Sequence, residues 1–290
     1  MPALGVGPIL VGLFPAVFLV VFIAAPVIRL LIEGGAAALP GMAGALWQDD
    51  YLRWRVVWTF VQAALTCLAA LVLGVPIAWV LARHDFAGRA LVLRLLMLPF
   101  VVPTLVAALG VLALWGPRGL LAGWLGVNLQ DTPWLLLYGN LFFNLCVLVR
   151  AGVDALTQVS AARVAAARTL GATPWRAFWR VEWPAIAPWL ASALCLVFLY
   201  CFSGFGLALI LGGQHFATME VEIYTLVAHE LKLAEAGSLA MIMLLLTGGV
   251  ALAYALVEKR LATPARADRI ARRRPQGWRQ WGLVGAAMAV

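Results

Sequence analysis

Six long stretches of this 290-residue chain contain no Asp, Glu, Lys or Arg. They are residues 1–28, 56–82, 95–117, 132–149, 183–219 and 236–257. A helix rises ~1.5 Å per residue, so about 20 residues cross the ~30 Å hydrocarbon layer of a bilayer. Helices and closed barrels are the only backbone structures that satisfy their own hydrogen bonds in lipid. The stretches therefore predict an all-α polytopic membrane protein with six transmembrane helices.

The composition supports this class and suggests how the chain is divided. Hydrophobic residues make up 64% of the chain and charged residues 12%, half the ~25% of a soluble domain. We expect a first helix and outer loop over 1–54, a five-helix core over 55–257 and a basic loop over 258–279. The apolar run 280–290 is too short to cross a bilayer, and it predicts the start of a seventh helix in a longer protein.

Basic residues are concentrated in alternate connectors between the stretches. Connectors 83–94, 150–182 and 258–279 hold 16 of the 21 Lys and Arg residues. The positive-inside rule places these connectors in the cytoplasm, and the N-terminus with them. The basic run 266–279 is interpreted as a solvated loop near anionic membrane lipid and not as a nucleic-acid site.

The residues needed for covalent chemistry or energy coupling are missing from the predicted spans. None carries an Asp, Glu, Lys or Arg in its middle, and no G-x-x-x-x-G-K-[ST] loop occurs to hold ATP phosphates. The four cysteines lie inside spans without C-x-x-C spacing. We predict no catalytic residue, no metal and no cofactor, so energy for uphill transport would come from a partner.

A few uncharged polar residues do occur inside the stretches. Asn140 and Asn144 are four residues apart, so they share one helical face, and Ser203 lies in the fifth stretch. These three residues are candidates for a translocation path. Interhelical hydrogen bonding is the alternative interpretation, and the sequence leaves both open.

The second cytoplasmic connector, here called loop 158–184, carries strong helix signals. Ser160 is placed to cap a helix over 161–170, and Gly171 is placed to end it in the left-handed conformation. Thr173 and Pro174 then predict the start of a second helix. Its aromatic residues Trp175, Phe178, Trp179 and Trp183 share one face. The loop suits docking to a partner, and an interfacial helix with its tryptophans at the headgroups is the alternative.

Loop 158–184 resembles the cytoplasmic loop of the type I ABC importer permeases, whose pattern is E-A-A-x3-G-x9-I-x-L-P. Ala166, Ala167, Gly171 and Pro184 match the pattern outright, and Val181 is a conservative match. Ala165 stands where the family has Glu. The resemblance implies that these six positions form the ATPase-coupling loop of an ABC transmembrane type-1 fold.

Within that family, the chain is most similar to the thiamine/thiamine pyrophosphate permeases, which are fused proteins with two such halves. The similarity rests on L-F-F-N-L at 141–145, R-V-E-W-P at 180–184 and L-G-G-Q-H-F-A-T-M-E-V-E-I-Y at 211–224. It extends from about residue 45 to 280 and implies that the chain is the N-terminal half.

The resemblance implies a multi-pass permease of the bacterial inner membrane and names its partners. Two ATP-binding cassette subunits would dock on the 161–171 helices, a periplasmic thiamine-binding protein would deliver the solute, and a second permease half would complete the pathway. The alternative within the class is an importer of ferric iron or phosphonate. A secondary carrier or channel that works without ATP is the alternative from another class.

Overall fold

The computed structural model describes residues 48–261 continuously, together with positions 17–18, 20–25, 28–29, 32, 44, 278 and 282. The described residues form helices joined by turns and short connectors, and they contain no β-strand. These residues fall into two compact units. Of the continuously described residues, one unit contains 57–218 and 247–261, and the other contains 48–56 and 219–246.

Twelve α-helices follow one another from Asp50 onward within the continuously described part of the chain. They are α1 Asp50–Arg83, α2 Arg89–Leu95, α3 Leu98–Val101, α4 Thr104–Trp115, α5 Leu120–Leu125, α6 Pro133–Thr157, α7 Ala161–Thr169, α8 Pro174–Ala177, α9 Trp183–Phe202, α10 Phe205–Leu211, α11 Met219–Ala228 and α12 Leu233–Leu261. A π-helix, Phe178–Glu182, joins α8 to α9.

Five helical stretches of the described residues are long and apolar enough to cross a membrane. They are Asp50–Arg83, Thr104–Leu125, Pro133–Thr157, Pro174–Phe202 and Leu233–Leu256. They correspond to the second through sixth stretches of the sequence. The predicted first span and the start of a seventh helix lie largely outside the described residues.

Prolines and glycines move the boundaries of two predicted spans. Residues 95–117 do not form one helix, because Val102 is extended, with ψ 134°, before Pro103, and α4 begins only at Thr104. A residue that precedes proline is disfavoured in the α conformation. Residues 183–219 likewise break at Ser203 and Gly204, where α9 ends and the short helix α10 follows.

Close helix packing holds together the unit that contains residues 57–218. Its buried core is built by α1, α6, α9 and the start of loop 158–184. At Gly152 of α6, an added Cβ would lie 2.7 Å from the Cβ of Ala78 in α1. Such small-residue contacts let two backbones approach closely, which is the usual basis of helix association in membranes.

Candidate functional site

The turn at Gly171 is the best-defined feature of loop 158–184. The amide of Gly171 donates to the carbonyl of Arg168 at 3.1 Å, and the amide of Ala172 donates to that of Ala167 at 3.0 Å. This pair of bonds is the Schellman arrangement that ends a helix. Gly171 has φ +84°, and an added Cβ would meet nothing within 4 Å. The predicted left-handed end is confirmed, and the demand for glycine is conformational, not steric.

The two helix starts in the loop behave differently. Ser160 occupies the N-cap of α7, but its side chain accepts no capping hydrogen bond, so the predicted side-chain cap is wrong. The amide of Val164 donates to the Ser160 carbonyl at 3.3 Å, which is the regular first bond of the helix and does not depend on a side-chain cap. Thr173 does cap α8, because its Oγ1 accepts from the amide of Arg176 at 3.3 Å, and Pro174 follows at the first helical position.

The aromatic residues of the loop contact one another as their spacing predicts, mostly in edge-to-face or tilted pairs. Ring centroids lie 5.6 Å apart for Trp175 and Trp179, and 5.1 Å apart for Trp179 and Trp183. Phe178 contacts all three tryptophans. Trp175 is 69% exposed at one end of this face, while Phe178 and Trp183 pack against the core cluster.

Three of the six motif residues, Ala167, Gly171 and Val181, line an open cleft of about 310 Å³. It lies between the end of α7 with its turn and the segment formed by α8 and the π-helix. The cleft is lined by Ala167, Leu170, Gly171, Ala172, Arg176, Ala177, Arg180 and Val181. Ala165 and Ala166 lie on the exposed side of α7, and Pro184 is exposed in the first turn of α9, away from the cleft lining. Leu170 is 89% exposed at the rim.

The surface of the loop is positively charged. Its four arginines are all exposed, namely Arg163, Arg168, Arg176 and Arg180. The one acidic residue between 158 and 184 is Glu182, which is buried and forms an ion pair with Arg83 at the end of α1. The outward face of the loop therefore presents small and apolar side chains in a cationic surround, which suits contact with an anionic partner surface.

Asn140 and Asn144 lie in a buried amide network within the core of the larger unit. Asn140 Nδ2 donates to Gln62 Oε1 at 2.6 Å, and Gln62 Nε2 donates to the Cys201 carbonyl at 2.8 Å. Asn144 Nδ2 donates to the Asn140 carbonyl at 2.9 Å and contacts Cys201 Sγ at 3.3 Å. The network joins α1, α6 and α9, so it supplies the partners that amides need at membrane depth.

Ser203 lies outside the amide network, whereas Gln62 belongs to it. Ser203 is exposed at the C-cap of α9 and is not part of the amide network. Gln62 is a central member that the candidate path did not include. The signal available in the sequence was an amide in the middle of a charge-free stretch, which needs a partner wherever it lies.

A second polar cluster lies in the smaller unit, at the start of α1. Tyr51 donates from its hydroxyl to Glu222 Oε2 at 2.7 Å, and Arg55 Nη2 donates to the Tyr51 hydroxyl at 2.7 Å. Arg55 Nε lies 3.4 Å from Glu222 Oε2, and both side chains are buried.

A separate, exposed ion pair precedes α12. Lys232 contacts Glu230 at 2.9 Å, and this hydrogen bond and the nearby carboxylates raise the pKa of the lysine.

Comparison with known proteins identifies similar sequences. The family described as "Binding-protein-dependent transport system inner membrane component" matches residues 71–263. The thiamine transport system permease protein ThiP of Escherichia coli (strain K12) is 34% identical over 226 residues, or 75% of this chain and 42% of the relative. The sulfate transport system permease protein CysT of Synechococcus elongatus is 32% identical over 207 residues, or 69% of this chain and 73% of the relative.

The chain spans less than half the length of the ThiP relatives, which include that of Haemophilus influenzae at 30% identity over 73% of this chain. Two solved structures share the fold. One is a bacterial ABC transporter involved in the import of alginate, with TM-score 0.69 at 18% identity over 88% of this chain and 96% of that chain. The other is the inward-facing MetNI methionine ABC transporter, with TM-score 0.54 at 13% identity over 74% of this chain and 100% of that chain.

Proposed function

The chain belongs to the family of inner membrane components of binding-protein-dependent transport systems, and from that premise we propose that it is the permease subunit of an ATP-driven importer of thiamine or thiamine phosphates. The thiamine assignment is supported by the ThiP relatives at 34% identity. The chain would be a multi-pass inner-membrane protein with its N-terminus in the cytoplasm, and residues 55–257 would form its transport core.

The observation that carries this proposal is the surface of loop 158–184. The small residue Ala166 is exposed on α7, and Ala167 and Gly171 line the cleft. Small side chains allow a partner's backbone to approach closely, and the Schellman turn makes α7 a short rigid body. We infer that an ATP-binding cassette subunit docks here, on the 161–171 segment, and that each of two such subunits engages one permease half.

Ala165 gives this docking surface its own character. The family pattern has Glu at this position, so one acidic contact to the ATPase is missing here. The arginines of the loop are exposed, so the rim of the cleft is positively charged. We infer that this half engages its ATPase through the apolar cleft, formed with Ala167 and Val181, and through cationic contacts at its rim. Pro184 would mark the point where the loop passes into the span.

The transport cycle that we propose uses the chain as a displaced element and not as a catalyst. ATP-driven closure of the two cassette subunits would draw the coupling loops of the two permease halves together. That movement would favour the outward-open state, because nucleotide acts only through its different contacts with the two states. A periplasmic binding protein would deliver the solute, and a second permease half, fused in the ThiP-like arrangement, would form the other wall.

The residues that line the path are a separate part of the proposal. Asn140 and Asn144 face neighbouring helices in a closed hydrogen-bonded network, so either would reach solute only in a state in which α1, α6 and α9 separate. Ser203 is exposed at the break between α9 and α10. We keep all three as candidates, with the two asparagines as state-dependent contacts.

A second solute class has a specific observation in its favour. The CysT relative is named a sulfate permease and matches at 32% identity over 69% of this chain. Sulfate is an anion, whereas thiamine is a cation. If the chain carries thiamine, excess unlabelled thiamine should reduce uptake of the labelled solute and excess sulfate should not, and the sulfate assignment predicts the reverse. Ferric iron and phosphonate remain the other solutes of the same importer class.

The test of solute and energy source is uptake by the assembled transporter. The full-length gene would be expressed with its ATPase and binding protein in a thiamine-requiring bacterial strain, and uptake of radiolabelled thiamine and sulfate would be compared. We expect thiamine uptake that disappears with an ATPase-dead partner. Sulfate uptake alone would transfer the assignment to the anion, and uptake indifferent to the ATPase would overturn the importer mechanism in favour of a secondary carrier.

The test of the docking surface is one substitution made at two positions of the same helix. Ala167→Glu places a carboxylate in the cleft, and we expect it to abolish transport while insertion continues. Ala165→Glu restores the family residue on the exposed side of α7 and is the matched control, which we expect to be tolerated. Equal uptake by both variants would contradict the assignment of the cleft as the coupling surface.

A further inference from the structure

An ion pair joins the C-terminal end of α1 to loop 158–184. Arg83 is the last residue of α1, and Glu182 is the last residue of the π-helix that leads into α9. Arg83 Nη2 lies 2.6 Å from Glu182 Oε1, and the two side chains are only 15% and 6% exposed. The pair joins segments that are far apart in sequence, and it lies within one compact unit.

The residues around the pair are mostly apolar, although the buried His84 follows Arg83 directly and the buried Arg89 donates to the carbonyl of Leu81 at 2.7 Å. Leu81 and Ala82 precede Arg83 in the buried core, and Ile186 follows Glu182 by one turn in the same core cluster. Moving two charges out of water is costly, and an apolar pair of similar volume is often equally stable at such a site. Stability alone therefore gives little reason for charges here. Arg83 Nη2 and Glu182 Oε2 make no hydrogen bond, so the pair acts through its charges, and separating the two segments would leave both charges unpaired in a buried site.

The neighbouring residues place this pair directly behind the candidate docking surface. Val181 lines the cleft, whereas the next residue, Glu182, faces Arg83. A displacement of the cleft by a docked partner would thus reach the end of α1 through Val181, Glu182 and the ion pair with Arg83. The other route into the core is apolar packing through Phe178 and Trp183, which is non-directional.

We propose that Arg83 and Glu182 are positioning residues for energy coupling, and that they make α1 move with loop 158–184. The proposal deepens the importer function and rests on it. The pair does not touch solute or nucleotide. It transmits displacement by holding the loop and the end of α1 in one register, so that ATPase closure moves the span instead of deforming the loop.

The first test measures coupling in the full complex of permease, ATPase and binding protein reconstituted in liposomes. The variants are Glu182→Gln, which keeps the shape of the side chain, and the exchange Arg83→Glu with Glu182→Arg. The matched control is Asp154→Asn, which removes the carboxylate of an exposed pair with Arg150. The readout is the amount of radiolabelled thiamine moved per ATP hydrolysed. Assembly of the complex and basal ATPase activity are measured alongside it.

We expect Glu182→Gln to lower the coupling ratio by about 5- to 150-fold, the range of typical couplings between sites. Glu182→Gln leaves the buried Arg83 without its carboxylate and should lower stability, so transport and ATPase activity are both measured per assembled complex. Asp154→Asn should match wild type in assembly and in basal ATPase activity within about twofold. The exchanged pair should recover a substantial part of the ratio. An unchanged ratio in Glu182→Gln would overturn the proposal, and so would a loss that only mirrors reduced assembly and is not recovered by the exchange.

A second measurement does not depend on the solute and separates this proposal from the thiamine assignment. Spin labels at Trp175→Cys and Asp85→Cys, both exposed positions outside the 161–171 segment and the cleft lining, would report the distance between loop 158–184 and the end of α1. In the wild-type background we expect one narrow distance in the nucleotide-free and vanadate-trapped complexes. In Glu182→Gln we expect the distance to shift or broaden on trapping. A distance that is equally narrow in both backgrounds would refute the tie, whichever solute the complex carries.

Discussion

Gly171→Ala is the substitution that tests the proposed coupling role of loop 158–184 separately from protein stability. Gly171 has φ +84°, and its added Cβ would meet no atom within 4 Å, so the whole cost is backbone strain. An L-residue in the left-handed region costs roughly 1–2 kcal/mol. If alanine leaves this conformation, the two Schellman hydrogen bonds at 3.0 and 3.1 Å are lost with it. The equilibrium of the turn should therefore shift by about 5- to 30-fold.

Gly88 provides a matched control for this strain. It has φ +90°, its added Cβ also meets nothing within 4 Å, and like Gly171 it is exposed. It lies at the N-cap of α2, outside loop 158–184. Alanine should therefore destabilise the protein similarly at both positions. The difference between the two variants reports the function of the turn and not the strain itself.

The assay combines ATP-driven uptake in liposomes with the apparent midpoint of thermal unfolding in detergent. We expect similar midpoints for Gly171→Ala and Gly88→Ala, with uptake reduced several-fold only in Gly171→Ala. Gly171→Asn should recover uptake, because asparagine tolerates the left-handed region. Gly171→Pro should abolish uptake with insertion intact, because proline holds φ near −65°. Equal uptake by the two alanine variants would refute the coupling assignment.

Three further predictions concern packing and the buried polar groups. Gly152→Ala should lower the unfolding midpoint, because overpacking against a Cβ at 2.7 Å costs about 1–3 kcal/mol, whereas Gly110→Ala, with open space, should leave it unchanged or raise it. Glu222→Gln leaves a buried arginine without its carboxylate and should destabilise by about 3 kcal/mol, while Glu230→Gln, at an exposed lysine pair, should change the midpoint little. Gln62→Leu removes the centre of the amide network and should cost about 1–3 kcal/mol; an unchanged midpoint in any of the three destabilising variants would contradict the contact concerned.

The spans and the local signals of loop 158–184 were predictable from the sequence for the same reason. Both depend on residues that are close together along the chain. A charge-free stretch predicts its own helix because lipid leaves the backbone no other partner. Gly171 and the Thr173–Pro174 pair predict a helix end and a helix start from the conformations that those residues favour. Ser160 occupies the predicted N-cap position, but its hydroxyl accepts no bond from the first turn, because a sequence pattern places the residue and does not fix its side-chain rotamer.

The contacts between distant segments were decided only by the tertiary structure. Nothing in the local sequence pairs Gln62 with Asn140, or Arg83 with Glu182, since each pair joins helices whose relative placement depends on packing. The sequence by itself determined the all-helical membrane class, the family and the left-handed turn at Gly171. Only the tertiary structure decided which buried polar groups satisfy one another, because an amide or a charge at depth needs a partner but does not specify which helix supplies it.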